Sequence, residues 1–142
     1  MNKKIIIIPI VLILMVAVLS FNQVEKKNEN VVFHVTLVDP DLYKNGIYSN
    51  TFSMNKGDYI FKFVPNGDSP HSLSILLKGK NYDFSETFKL KGTLHQTGIS
   101  EYYTWDYDGQ KVISISGQQE MYIEINPNGN ELGSVSVYII EN

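Results

Sequence analysis

The chain has 142 residues, 43% of them hydrophobic, which suits one modest domain and leaves little room for a second. Its formal net charge is −3 and all 12 basic residues are lysine, so arginine, the side chain best shaped to grip phosphate, is missing; nucleic acid is not an expected partner. No cysteine is present, which excludes disulfides, thiolate metal sites and cysteine nucleophiles together.

The chain begins "MNKKIIIIPIVLILMVAVLSF": two lysines, then residues 5–21 without a charge. A positive start followed by an apolar stretch is the pattern of an export signal. Pro9 and the lack of a polar face argue against a buried core helix. As a helix this stretch would reach about 25 Å, close to the hydrocarbon thickness of a bilayer. A cleaved signal ending at Ser20 and a retained membrane anchor with Lys3 and Lys4 in the cytoplasm both fit. Either outcome puts the rest of the chain outside the cytoplasm, membrane-anchored or secreted. Residues 1–21 are thus a signal peptide or anchor, and "NQVEKKNEN" (22–30) is a polar linker.

From residue 31 to 142 the apolar residues alternate instead of recurring at helical spacing. Val31, Phe33, Val35 and Leu37 share one strand face, and Tyr59, Phe61 and Phe63 share another. Leu73, Ile75 and Leu77 follow, then Phe88 and Leu90, then Tyr103, Trp105 and Tyr107. "GTLHQTG" between the last two groups reads as a loop. Met121, Ile123 and Ile125 precede a last strand with Val135, Val137 and Ile139. Turn residues such as Asp39-Pro40-Asp41, Lys44-Asn45-Gly46 and Asp108-Gly109 separate them. The expected fold is all-β: an antiparallel β-sandwich or jelly roll of about eight or nine strands, preceded by the N-terminal hydrophobic helix.

One stretch is written twice. "FVPNGDSPHSLSI" and "INPNGNELGSVSV" share Pro-Asn-Gly and then Ser-apolar-Ser-apolar, at a constant offset of 62 (127 − 65 and 134 − 72). Proline ends a strand ladder and glycine takes positive φ, so each copy is a strand, a turn and another strand. The turn is either a wide hairpin or an arch between two sheets, and the two copies would occupy equivalent places.

In "KGDYIFKFVPNGDSPHSLSILL", Gly57, Tyr59, Phe61, Phe63, Asn66, Ser69, Leu73 and Ile75 follow a pattern of alternating aromatics, then Asn and Ser, then an apolar strand. Over residues 57–77 this resembles the GOLD (emp24/p24-like) β-sandwich of cargo receptors. The resemblance implies a sandwich that binds proteins. That family carries a C-terminal transmembrane helix after a coiled coil, and usually a disulfide. Here the apolar segment stands at the other end and cysteine is absent.

"EYYTWDYDG" is the densest aromatic stretch, and it admits two readings. Tyr103, Trp105 and Tyr107 could be the buried face of a core strand. Alternatively, Tyr102, Tyr103, Trp105 and Tyr107 could stack on sugar rings while Asp106 accepts hydrogen bonds from hydroxyls. A buried indole favours the first reading and an exposed one flanked by tyrosines the second. The acidic turns (Asp39, Asp41, Asp68, Asp106, Asp108, Asn130-Glu131) could serve a structural calcium, but no Ca²⁺-loop spacing exists. His34, His71 and His95 are too scattered for a zinc or copper motif, so no metal site is assigned. Asp68, Ser69 and His71 crowd one turn, where a catalytic triad seldom forms, and no other catalytic motif is found. No catalytic residues are assigned.

The sequence therefore points to a non-catalytic extracytoplasmic sandwich for protein interaction or cell-surface structure, with no cofactor. The alternative is a carbohydrate-binding accessory module using the aromatic strand. The expected partners are the membrane, through the N-terminal segment, and a protein or a surface glycan.

Overall fold

Both copies of the repeated stretch are arches that carry the chain from one sheet to the other. The structure, a computed structural model, describes residues 29–142; the apolar segment and most of the linker lie outside the described residues. Nine antiparallel strands are formed there: β1 (Val31–Leu37), β2 (Tyr48–Met54), β3 (Gly57–Pro65), β4 (Ser72–Gly79), β5 (Tyr82–Gln96), β6 (Glu101–Asp108), β7 (Val112–Ile115), β8 (Gln119–Asn126) and β9 (Val135–Glu141). One sheet has the order β1-β9-β3-β7 and the other β2-β8-β4-β5-β6. The expected antiparallel sandwich is what the chain builds. Among the described residues the only helical element is a 3-10 turn at Pro40–Leu42, and no helix is long and apolar enough to cross a membrane.

The offset of 62 extends well beyond the quoted residues. It superimposes β2, β3 and β4 on β7, β8 and β9, and it exchanges the two sheets. Phe63 pairs with Val137 in the first sheet, and Ile125 pairs with Ile75 in the second (63 + 62 = 125; 137 − 62 = 75). The four strands at the centre of the sandwich are thus related by a pseudo-two-fold axis. The arches even bond to each other at equivalent places. Asn66 donates its backbone N–H to the Ser134 carbonyl at 3.0 Å, whereas Asn128 uses its side chain to reach Ser72 Oγ at 2.8 Å. Gly67 and Gly129 hold the matching positive φ values of 85° and 89°, open to glycine at little cost.

Strand alternation builds the core. Tyr59, Phe61, Phe63, Leu73, Ile75, Leu77, Met121, Ile123, Ile125, Val135, Val137 and Ile139 are all buried, and they come from the pseudo-symmetric strands. Phe61, Phe84 and Phe88 bring their rings together at centroid distances of 5.5 and 5.6 Å. Such contacts strengthen a core beyond the area that they bury. β1 and β2 lie against each other along one flank, where the Phe33 and Phe52 rings meet at 4.7 Å, while β6 passes β3 near the other.

Candidate functional site

β5 has 15 residues against the 8 of its neighbour β4, and the extra length decides where the candidate residues stand. β4 begins at Ser72, opposite Lys89. Beyond that point β5 has only β6 to pair with, from Leu90 opposite Tyr107 to Gln96 opposite Glu101. The result is a two-stranded ribbon that leaves the sandwich at the end carrying the two arches. Residues 92–96, read from the sequence as part of a loop, are strand. Gly92 is a poor strand signal, but pairing with β6 overrides local preference. Thr97 and Ser100 close the ribbon, with Thr97 N–H donating to the Ser100 carbonyl at 2.8 Å.

Tyr103, Trp105 and Tyr107 do share one face, the one that continues the inner side of the sheet. Their fates diverge along it. Tyr107 is buried, and its hydroxyl donates to the Pro70 carbonyl of the first arch at 2.5 Å. Burial pushes its pKa up, with the neighbouring Tyr43 adding to the shift. Trp105 is half-buried: its indole lies over Gly92 on β5, where a Cβ atom would come within 2.7 Å of Cζ3. Tyr103 is 56% exposed and lies against Trp105, ring centroids 5.6 Å apart and 23° from parallel. Leu94, opposite Tyr103, and Ile99 at the tip are exposed as well.

Tyr102 and Asp106 occupy the opposite face. Tyr102 stacks on His95 at 4.9 Å, and His95 Nε2 shares a hydrogen bond with Thr104 Oγ1 at 2.8 Å. Asp106 forms an ion pair with Lys111 at 2.6 Å, beside a shallow hollow lined by Lys91, Thr93, Asp108 and the edge of Tyr107. The five candidate residues are therefore divided: Tyr103 and Trp105 on one exposed face, Tyr102 and Asp106 on the other, and Tyr107 in the core. No family model matches the chain, and no curated protein or solved structure does either.

The other chemical candidates are dispersed. No three His, Asp or Glu side chains come together to hold a metal ion among the described residues. Asp39 caps the 3-10 turn by accepting from Asp41 N–H at 2.9 Å, and Asp58 accepts from Ser114 Oγ at 2.6 Å. His34 lies on the outer face of β1, stacked on Tyr138 at 4.2 Å. Asp68 and His71 are exposed in the first arch, where Ser69 Oγ accepts from Asn130 Nδ2 at 2.6 Å. Sequence reasoning missed Leu94 and Ile99. The available signal was the pairing of "GTLHQ" with "EYYTW" across a four-residue Thr-Gly-Ile-Ser turn.

Proposed function

We propose that this protein is a non-catalytic binding module held outside the cytoplasm, and that the β5–β6 ribbon is its contact element for a protein partner. The observation that carries the reading is the ribbon's surplus of exposed apolar surface. Leu94, Ile99, Tyr102 and Tyr103 stand in water on a structure that adds little to the core. Leu94 and Tyr103 are neighbours on one face of the ribbon, and exposed apolar neighbours of this kind mark interaction surfaces. β6 is also the free edge of its sheet, with one row of backbone donors and acceptors unpaired. An extended segment of another protein can add to such an edge by main-chain hydrogen bonds. Glu101 and Asp108 on β6 favour a lysine- or arginine-bearing segment. The extracytoplasmic location rests on the apolar N-terminal segment.

The exposed stack of Tyr103 on Trp105 supports the second reading, a carbohydrate-binding module, since two rings in a row can receive sugar faces. The full chain carrying a photo-crosslinking phenylalanine at Tyr103, irradiated at the native cell surface, separates the two. The protein reading expects one defined protein adduct that is lost with Trp105→Ala and absent when the crosslinker replaces Tyr48. A glycan that raises the melting midpoint of the wild type, with the shift abolished by Trp105→Ala, would overturn it. At a hundred times its dissociation constant such a glycan would add about 2.7 kcal/mol.

A further inference from the structure

The two flanks of the sandwich differ in charge. The flank formed by β6 and β7 carries Glu101, Asp106 and Asp108 on its longer strand. The flank formed by β1 and β2 carries none: "VVFHVTL" and "YSNTFSM" contain no lysine, aspartate, glutamate or proline. Both are seven-residue edge strands. Soluble proteins usually protect such edges with charges, proline, bulges or very short strands. β1 has one such device, a register shift between Val31 and Phe33, and it leaves residues 33–37 in regular pairing.

We infer that the β1–β2 flank is an interface with a second copy of this chain, formed by antiparallel pairing of β1 with β1 about a two-fold axis at His34. The self-complementarity of a two-fold contact selects this edge. In the register that overlaps β1 fully, Val31 faces the partner's Leu37, Val32 faces the partner's Thr36, and Phe33 faces the partner's Val35. His34 then faces the partner's His34. Within the paired strands no like charges meet, and inner-face residues stay with inner-face residues; Glu29 and the partner's Asp39 lie just beyond the strand ends. The same axis sets β2 beside the partner's β2, again without charge, so both sheets continue across the contact. The equivalent operation on β6 would set Glu101 against Asp108 and Tyr103 against Asp106. Like charges directly opposite across strands are destabilising, which leaves β6 to a basic partner and β1 to its own copy. On the outer face of the first sheet Lys62 and Glu29 neutralise each other at 2.8 Å, and on the second Glu120 and Glu124 stand one strand in from the edge, opposite Ser53 and Ser49.

The absence of cysteine makes a clean test available. Opposed residues in antiparallel strands have Cα atoms about 4.5–5.5 Å apart, within the range that a disulfide spans. In the full chain in its native membrane or in detergent, His34→Cys should give a reducible dimer under mild oxidation. Thr36→Cys, on the same face, would sit about 13 Å from its own copy in this register and should remain unlinked. Thr104→Cys on β6 should also remain unlinked. His34→Lys, which sets two ammonium groups together at an exposed and tolerant position, should shift the cysteine-free chain from dimer to monomer in sedimentation. Absence of a His34→Cys dimer, or equal linking at Thr36 or Thr104, would overturn the inference. So would a wild-type chain that sediments as a monomer at micromolar concentration.

Discussion

Two halves of one strand behave differently. In β5, residues 82–89 pair with β4 along their whole length, and their inward side chains Phe84 and Phe88 are covered by Phe61 and Phe63 of the facing sheet. Residues 91–96 keep the same alternation, but no core layer covers them, so Leu94 stands in water. Alternation tells which side chains share a face. Only the opposite layer tells whether that face is a core. The inner half maintains the fold, and the outer half stays exposed.

The comparison breaks most visibly under large-to-small substitution. Phe61→Ala removes a ring that touches Phe63, Phe84 and Phe88, and should cost about 3–5 kcal/mol in denaturant unfolding. Tyr103→Ala on the outer half should change stability by no more than about 0.5 kcal/mol. Comparable losses for the two would mean that the ribbon belongs to the core.

Two buried tyrosines sharpen the boundary. Tyr107→Phe deletes the hydrogen bond to Pro70 and should cost about 1–2 kcal/mol. Tyr43 is also buried, but its hydroxyl has no protein partner among the described residues, so Tyr43→Phe should be neutral or slightly stabilising. Thermal melts of the two variants check this difference in sign.

Alkaline titration probes the same interior. Tyr43, Tyr59, Tyr82 and Tyr107 all have pKa values raised above 10.0, in each case chiefly by burial. The folded state then holds its phenolic protons more tightly than the unfolded chain. Their contribution is fully present below about pH 10 and is lost as the pH rises through the folded values. Stability should therefore fall steeply above that point, and Tyr107→Phe should make the fall shallower. A flat stability curve above pH 10 would contradict the burial described.

The smallest effect concerns the chain's single tryptophan. Gly92→Ala forces the Trp105 ring off β5, because the new Cβ would lie 2.7 Å from Cζ3. Its fluorescence should move to longer wavelength while the melting midpoint changes by only a few degrees. An unchanged spectrum would place the indole elsewhere.

Much of the fold was legible in the sequence because the signals were local. The alternating runs around Phe61, Ile75, Ile123 and Val137 are core strands, and His34, out of phase with its apolar neighbours, lies on the surface. The repeat at offset 62 pointed to equivalent places, but only the topology shows that its turns are arches exchanging the sheets. The candidate site was less legible. "EYYTWDYD" has one uniform alternation, yet Tyr107 is buried, Trp105 half-buried and Tyr103 exposed. That gradient depends on where β4 begins and where the facing sheet ends. Both are non-local facts.

Amide hydrogen exchange on the full chain tests the central claim most directly. Local opening lets amides exchange well below the global unfolding free energy, whereas core strands exchange only near it. The account predicts strong protection at the amides of residues 82–89 that bond to β4 and fast exchange along 91–105, with a break within β5 near Leu90. Protection that is uniform along β5 and β6 would contradict it, because the ribbon would then be covered or cooperative with the core and not free to receive a partner.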